Sequence, residues 1–290
     1  MNERKSTNVR FWSGLLCALM VLACQGNVAW GQSSWFDWSD FRATTHARVF
    51  LAKLDAASLR SNAGEVDLKK ALGISDGIAP FREFFGELYI DRLGFRWYLE
   101  DDRAFSGTLD TNLDSVSTLD LSAKRVGLDI DVIRFPYFRL GVSADYTADR
   151  PKLWDRRSLD GQYFAQYTGP HSVTAGLHAR ALPLRIKEVP VTLESRVRFP
   201  VPLGRALGDK DETRITEFEL AGGLRPAVWE TSLFGHATFS ASLELGYRWS
   251  DMKLTINDAM AYNGTNALVP SDVTLKARWS GAFFQVALFY

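Results

Sequence analysis

The chain has 290 residues, 46% of them hydrophobic and 23% charged, with 34 basic residues set against 34 acidic ones. So even a balance gives no single-sign field over the whole molecule, which argues against bulk electrostatic recruitment to nucleic acid or anionic lipid. The nine Trp, nine Tyr and nineteen Phe suit strands and water–lipid boundaries instead.

The amino terminus has the form of an export signal. Arg4, Lys5 and Arg10 make a basic head, the apolar run Phe11–Cys24 follows, and Ala29-Trp30-Gly31 puts small residues at the two positions a signal peptidase reads. Residues 1–31 are expected to be a cleaved signal peptide, 32–42 a short periplasmic segment and 43–290 the folded unit. Cys17 and Cys24 both fall inside the signal, so the mature chain carries no disulfide, zinc site or thiol nucleophile. Val21–Cys24 loosely matches a lipoprotein cleavage box, with Leu22 where a small residue is preferred; lipidation at Cys24 is the alternative processing route. Beyond Gly31 no apolar run reaches ~18 residues, so no helix can span a membrane. An exported chain of this kind is either soluble or a closed barrel.

Period-two alternation then recurs along the chain, near residues 43–55, 82–91, 93–101, 118–134, 138–148, 170–183, 190–199, 212–226, 236–250 and 273–290. The clearest case is His236–Ser250, where Ala237, Phe239, Ala241, Leu243, Leu245, Tyr247 and Trp249 alternate with small or polar residues. A helix would smear both sets around its cylinder; a strand separates them onto two faces. Between the first two strands, "VDLKKALG" predicts one or two helical turns ending at Gly73, with Val66, Leu68 and Leu72 packed on a rim. A change of parity near Lys124–Val126 predicts a β-bulge.

The links between these segments alternate in length. Short ones follow the even-numbered strands (91–94, 134–138, 181–190, 228–235), and long polar ones follow the odd strands (56–81, 102–117, 149–169, 200–211, 251–272). Sorting by parity is the pattern of a membrane barrel, with short periplasmic turns and long outer loops. "YNGTN" (262–266) marks a turn within one of those loops. The chain stops on an apolar strand, with Ala282, Phe284, Val286, Leu288 and Tyr290 at alternate positions. In hydrocarbon an unpaired sheet edge costs several kcal/mol per amide, so the last strand must pair with the first. The expected fold is all-β: a closed antiparallel transmembrane β-barrel of about ten strands, with eight or twelve as alternatives.

These residues resemble the bacterial outer-membrane β-barrel families. Phe284, Val286, Leu288 and Tyr290 are similar to the carboxy-terminal signal read by the barrel-assembly machinery, with Tyr in place of the more usual Phe. "EVDLKKALGISD" (65–76), "FGELYIDRLGFRWYLEDDRAFSG" (85–107) and "STLDLSAKRVGLDID" (117–131) resemble a widespread, largely uncharacterised family of small barrels. The resemblance implies a Gram-negative-type outer membrane, lipid and the assembly machinery as partners, and no established reaction.

Face assignment places Arg48, Glu87, Arg96, Glu100, Asp129, Asp131, Arg139, Asp145, His178, Arg180, Glu194, Arg196, Arg198, Glu217, Glu219, Glu244 and Arg248 in the lumen. A salt-bridged plug and a polar pore are the two readings of that set, with the plug favoured because a barrel of ~8–10 strands leaves little space. The histidines are His46, His171, His178 and His236. His171 and Ser172 are neighbours and point to opposite faces, while His236 and Ser240 share a face but stand too far apart for a direct hydrogen bond. Hence no catalytic residue is assigned, and a lipid-acting barrel enzyme remains the alternative. It would need a lumen-mouth or lipid-facing His within ~3 Å of a Ser or carboxylate. "DTNLD" (Asp110–Asp114) starts like a calcium loop, then fails at Ser115 and Leu121. No cofactor, metal or nucleic-acid motif is assigned. The expected role is a non-enzymatic envelope component, closed or narrow, whose outer loops face an unidentified partner; a solute channel is the other non-enzymatic option.

Overall fold

The computed structural model describes residues 41–61, 64–71, 73–74, 77–108, 116–135, 138–149, 152–155, 163–166, 171–181, 185–186, 189–201, 212–231, 237–262 and 268–289. The expected signal peptide with both cysteines, the Asp110–Asp114 stretch, His236, residues 263–266 of the expected 262–266 turn and Tyr290 lie outside them. In chain order the elements are β1 (Phe41–Ser61), β2 (Gly64–Asp67), α1 (Leu68–Ala71), β3 (Ile78–Ile90), β4 (Leu93–Asp102), β5 (Ala104–Thr108), β6 (Val116–Asp120), β7 (Ala123–Phe135) and β8 (Phe138–Asp149). They continue with β9 (Lys152–Asp155), β10 (Tyr163–Gln166), β11 (His171–Ala181), β12 (Arg185–Ile186), β13 (Val189–Val201), β14 (Glu212–Thr231), β15 (Ala237–Tyr262) and β16 (Leu268–Phe289).

Ten of these strands close into one antiparallel barrel, in the order β1, β3, β4, β7, β8, β11, β13, β14, β15, β16. Closure is made by β16 on β1, paired from Thr44↔Phe289 to Arg60↔Thr274, so the first and last barrel strands seal the sheet. No barrel edge is left for lipid to meet, as hydrocarbon requires. Each expected strand has its counterpart in the barrel, but β15 runs on to Tyr262 instead of ending near 250, and β1, β14 and β16 exceed their expected bounds by five or six residues, so much of the expected 251–272 loop is strand; the eight- and twelve-strand alternatives fall away.

A transmembrane strand needs ~9–11 residues, yet β15 has 26 and β16 has 22. The surplus lies at the long-loop end and changes the polarity of the wall. Toward the chain terminus Phe284, Val286 and Leu288 point outward and Phe283, Gln285 and Ala287 inward; further up Lys276, Arg278 and Ser280 point outward while Val273, Leu275, Ala277 and Trp279 are buried within. Period two is kept, but the apolar residues change parity. The lower barrel is greasy outside and charged inside. The upper barrel is an ordinary water-exposed wall around an apolar core.

That core is completed by a second sheet built from the loops. β5 and β6 pair, β6 pairs with β9, and β9 with β10, giving the order β10-β9-β6-β5. It occupies stretches expected to be loop, 102–117 and 149–169. Phe105, Leu119 and Leu121 are buried with Phe50, Leu54, Phe81, Leu254 and Trp279 in one cluster. Phe81 packs edge-on against Phe50 and Phe105, with centroids 5.6 and 4.9 Å apart. The Leu121 amide donates to the Arg103 carbonyl at 2.6 Å, pinning the base of this cap.

Three local expectations change. The parity of β7 is unbroken from Arg125 to Asp131, both inward; the irregularity falls between Asp131 and Ile133 instead. The chain breaks earlier, at Leu121–Ser122, where it leaves the cap to enter the barrel. The helical stretch is a single turn, α1, and only Leu68 of its expected anchors is buried. Val66 is 48% exposed because it belongs to β2, which extends along β1, and Ile74 takes the rim position instead. Gly73 has φ 59°, the left-handed geometry that suits a residue without Cβ at a helix end. Leu72 lies outside the described residues.

Candidate functional site: a charged lumen beneath an apolar cap

Alternation sends every second residue of each barrel strand inward, and in the lower barrel those residues are charged. Among the described residues ten arginines (Arg42, Arg48, Arg96, Arg103, Arg125, Arg139, Arg180, Arg196, Arg198, Arg248) meet ten carboxylates (Glu83, Glu87, Asp101, Asp129, Asp131, Asp145, Glu194, Glu217, Glu219, Glu244) in the interior. Paired charges out of water hold only when hydrogen-bond geometry is good on both sides.

The upper layer is anchored on two glutamates of β14. Glu219 accepts from Arg48 at 2.8 and 3.1 Å and from Arg248 at 2.9 and 3.1 Å. Glu217 accepts from Arg125 at 2.9 and 3.1 Å and from Arg198 at 2.5 Å. Arg248 also forms a double contact with Glu83, one arm of it 3.0 Å. Arg103 grips Asp101 with two bonds of 2.6 and 2.8 Å. These guanidiniums border the apolar core directly. Arg48 lies 4.1 Å from the Phe283 ring centroid and 5.1 Å from that of Phe85, and Arg248 lies 5.3 Å from Phe50. Cations over ring faces make the junction between charged and greasy layers favourable.

In the middle layer Arg96 donates to Glu87 at 3.0 Å, Asp129 at 2.5 Å and Asp145 at 3.3 Å. Arg196 shares Asp129 at 3.1 Å, as does the Tyr89 hydroxyl at 3.0 Å. Arg198 Nε and Asp145 Oδ2 stand 2.6 Å apart as an ion pair without hydrogen-bond alignment. Gln285 accepts from Arg48 at 2.7 Å and donates to Glu244 at 2.7 Å, and its amide nitrogen lies 2.9 Å from His46 Nδ1. Toward the short-turn end His178 Nε2 lies 2.9 Å from Asp131, with Arg139 at 3.5 Å from the same carboxylate. Arg180 pairs with Glu194 there and reaches Glu87 at 3.5 Å. A hollow of about 20 Å³ beside His178, Arg139 and Glu194 has room for about one water.

Of the lumen residues expected from parity, the side chain of Glu100 lies outside the described residues, and the other sixteen face the interior. Seven more join them: Arg42, His46, Glu83, Asp101, Arg103, Arg125 and Gln285. His46 and Glu83 share a face with Arg48 and Glu87, and Gln285 lies opposite in parity to the lipid-facing Phe284, so alternation alone could have found them. Asp101 and Arg103 were hidden by a register shift that pairs Phe84 with Glu100 but Phe85 with Tyr98, leaving Leu99 outside the count.

The histidine geometry bears on catalysis. His178 meets the distance set for a His–carboxylate pair, but the third group at that carboxylate is the cation Arg139, not a nucleophile. His46 is stacked on Phe85 with centroids 4.3 Å apart and touches Gln285 and Glu87. Ser242 is buried and donates to Glu244 at 2.8 Å. Among the described residues no group of His, Cys, Asp and Glu has the arrangement of a metal site.

Outside, register rows make a belt. Leu224–Leu243–Val286–Ala47, Gly222–Leu245–Phe284–Val49 and Leu220–Tyr247–Ala282–Leu51 are consecutive outward rows across β14, β15, β16 and β1. They end at Phe218–Trp249–Ser280, an aromatic rim. From Ala241–Leu288 to that rim the belt stands ~20–25 Å tall at ordinary strand rise and tilt, the height of a hydrocarbon layer. Closed pairing, lipid-facing belt and charged interior define a transmembrane β-barrel of the outer-membrane type.

No family model and no curated protein matches the chain. Among solved structures it is similar to the outer-membrane protease OmpT of Escherichia coli, at 9% identity over 86% of this chain and 96% of that one, with a TM-score of 0.38. It is also similar to a Pseudomonas aeruginosa FadL homologue, at 10% identity over 86% and 89% with a TM-score of 0.32, and to the Pseudomonas putida toluene transporter TodX, at 9% over 86% and 89% with 0.28.

Proposed function

We propose that this chain is a closed, non-enzymatic barrel of the outer membrane, an envelope component that carries a rigid water-exposed head above the lipid. The observation that supports it is the filling of the bore. Among the described residues ten arginines and ten carboxylates fill it, and some of the pairs cross the bore, for example Arg125 of β7 to Glu217 of β14 and Arg48 of β1 to Glu219 of β14. An apolar core under the second sheet then lies across the upper mouth. An ion entering such a bore would have to displace charge-assisted bonds and cross a greasy layer, and either step is costly.

Conductance of the refolded protein in a planar bilayer tests this. Silence, together with a band that shifts on boiling as folded barrels do, is the expected result. Discrete single-channel openings would replace the closed reading by the narrow solute channel. Release of fatty acid from defined phospholipid vesicles, lost on changing His178 to Ala, would replace it by the lipid-acting enzyme.

A further inference from the structure

We infer that residues 32–40 of this chain fold back over the short-turn mouth of the barrel and seat their aspartates on an arginine cluster there. The cluster is built from strand ends. Arg42 is the second residue of β1, Arg139 the second of β8, Arg180 the last but one of β11 and Tyr89 the last but one of β3. All four face the bore at the same end. Arg42 and Arg180 both stand over the Tyr89 ring, 5.5 and 5.8 Å from its centroid. The carboxylates at this level, among the described residues, are Asp131 and Glu194. Glu194 is held by Arg180, which also reaches the deeper Glu87 at 3.5 Å. Asp131 is divided between His178 at 2.9 Å and Arg139 at 3.5 Å. Three guanidiniums thus share two carboxylates at the mouth. Arg139 has a donor to spare, because its Nε is buried without a hydrogen-bond partner. A buried donor left unmade is costly, and a carboxylate is the acceptor that suits a guanidinium best.

The chain itself supplies the occupant. Residues 32–40 read "QSSWFDWSD" and run straight into β1, which starts at Phe41 at this same mouth. The stretch carries Asp37 and Asp40 and no basic side chain, so its charge complements the arginines. Reach is sufficient. Ten strands about 4.8 Å apart and tilted by ~40° enclose a bore roughly 20 Å across. Asp37 lies four residues ahead of Phe41, a span of up to ~13–14 Å. Arg139, on a strand four places round from β1, extends its side chain inward to meet it. Trp35, Phe36 and Trp38 bring ring faces of the kind Tyr89 already offers to Arg42 and Arg180. Tethering decides between this segment and a free anion or peptide. Joined directly to β1, it meets the mouth at an effective concentration on the order of millimolar. The mouth is defined by strand ends alone, so its occupancy is separate from whether the bore conducts.

The test is the rate at which a bulky maleimide labels Phe36→Cys in the refolded barrel, held in phosphatidylcholine nanodiscs with the two native cysteines replaced. Slow labelling is expected. Asp37→Asn with Asp40→Asn should speed it by about 10-fold or more, the least that one charge-assisted hydrogen bond is worth. Arg139→Gln should do the same from the barrel side. Lys124→Cys, exposed on β7, should label at one rate in every background. The boiling shift is measured on each variant, and the aspartate changes lie outside the barrel, so they decide even where Arg139→Gln fails to fold. Fast labelling of Phe36→Cys in the otherwise unchanged barrel overturns the docking. Slow labelling that survives the aspartate changes overturns it in favour of Trp35, Phe36 and Trp38 lying in the lipid interface. Labelling that responds to the aspartates but not to a folded Arg139→Gln overturns this mouth as the seat. Channel openings in a planar bilayer would strike the closed reading of the bore and leave the labelling result standing.

Discussion

Arg248 and Glu83 lie 165 positions apart in the chain, on strands separated by β1 and β16, and meet inside the barrel in a two-pronged pair that excludes water entirely. Neither side chain has any exposed surface, and each has a second partner within reach, Glu219 for the arginine and Arg48 for the glutamate. The pair ties β3 to β15 across the β1–β16 seam before the charged layer gives way to Phe50 and Phe81.

Breaking that pair from one side strands the other. Arg248→Met is expected to cost about 3–5 kcal/mol, because Glu83 and Glu219 remain buried with fewer cations. Adding Glu83→Gln should recover part of the loss, since the leftover charge is then removed. The urea midpoint of the boiling-sensitive band measures both, and equal destabilisation of single and double variants would speak against a coupled pair.

The lipid belt predicts a depth profile. Leu243, 48% exposed and three rows below the rim, lies near mid-bilayer, so Leu243→Arg should cost ~2–4 kcal/mol. Ser280→Arg, level with Trp249 at the rim, should cost ~0–1 kcal/mol. Ser242, the inward neighbour of Leu243, is fully buried against Glu244, so an arginine there meets a carboxylate but finds a filled bore. A flat profile between Leu243 and Ser280 would remove lipid as the solvent of this face.

Glycines sort by what surrounds them. A Cβ on Gly281 would collide with the Leu51 carbonyl at the seam between first and last barrel strands, whereas one on Gly222 would meet only the Thr192 oxygen at 3.9 Å. Gly281→Ala should therefore cost about 1–3 kcal/mol or more by forcing the seam apart. Gly222→Ala should stay within about 0.5 kcal/mol. The same urea titration reads both.

Closure has a covalent test. Ala47 and Val286 are direct partners across the β1–β16 seam. With the two native cysteines replaced, Ala47→Cys and Val286→Cys should form a disulfide on oxidation and yield a looped chain of altered mobility after boiling. Ala47→Cys with Leu243→Cys, two strands away, should not.

Much of the fold was legible because a membrane barrel writes its architecture in period two. Alternation at His236–Ser250 and at Ala282–Leu288 located the lipid face, loop lengths sorted the ends, and the cost of an open edge in hydrocarbon forced the last strand onto the first. The inward positions of Arg48, Glu87, Arg96 and Arg248 follow from the same parity. Local rules were blind wherever parity slipped, as at Leu99, which concealed Asp101 and Arg103.

What only the tertiary structure decided is who meets whom across the bore and how the barrel ends. Parity states that Arg48, Glu219 and Arg248 point inward; it cannot state that they converge, because convergence depends on strand order, shear and tilt over the whole ring. The cap was likewise invisible. Phe105 and Leu119 lie in short segments that would expose their apolar side chains alone, and they become strands only by packing against each other and against Phe81 and Trp279 below. Alternation is a property of one strand, written in its own residues, while a filled lumen and its lid are properties of ten strands held at fixed distances.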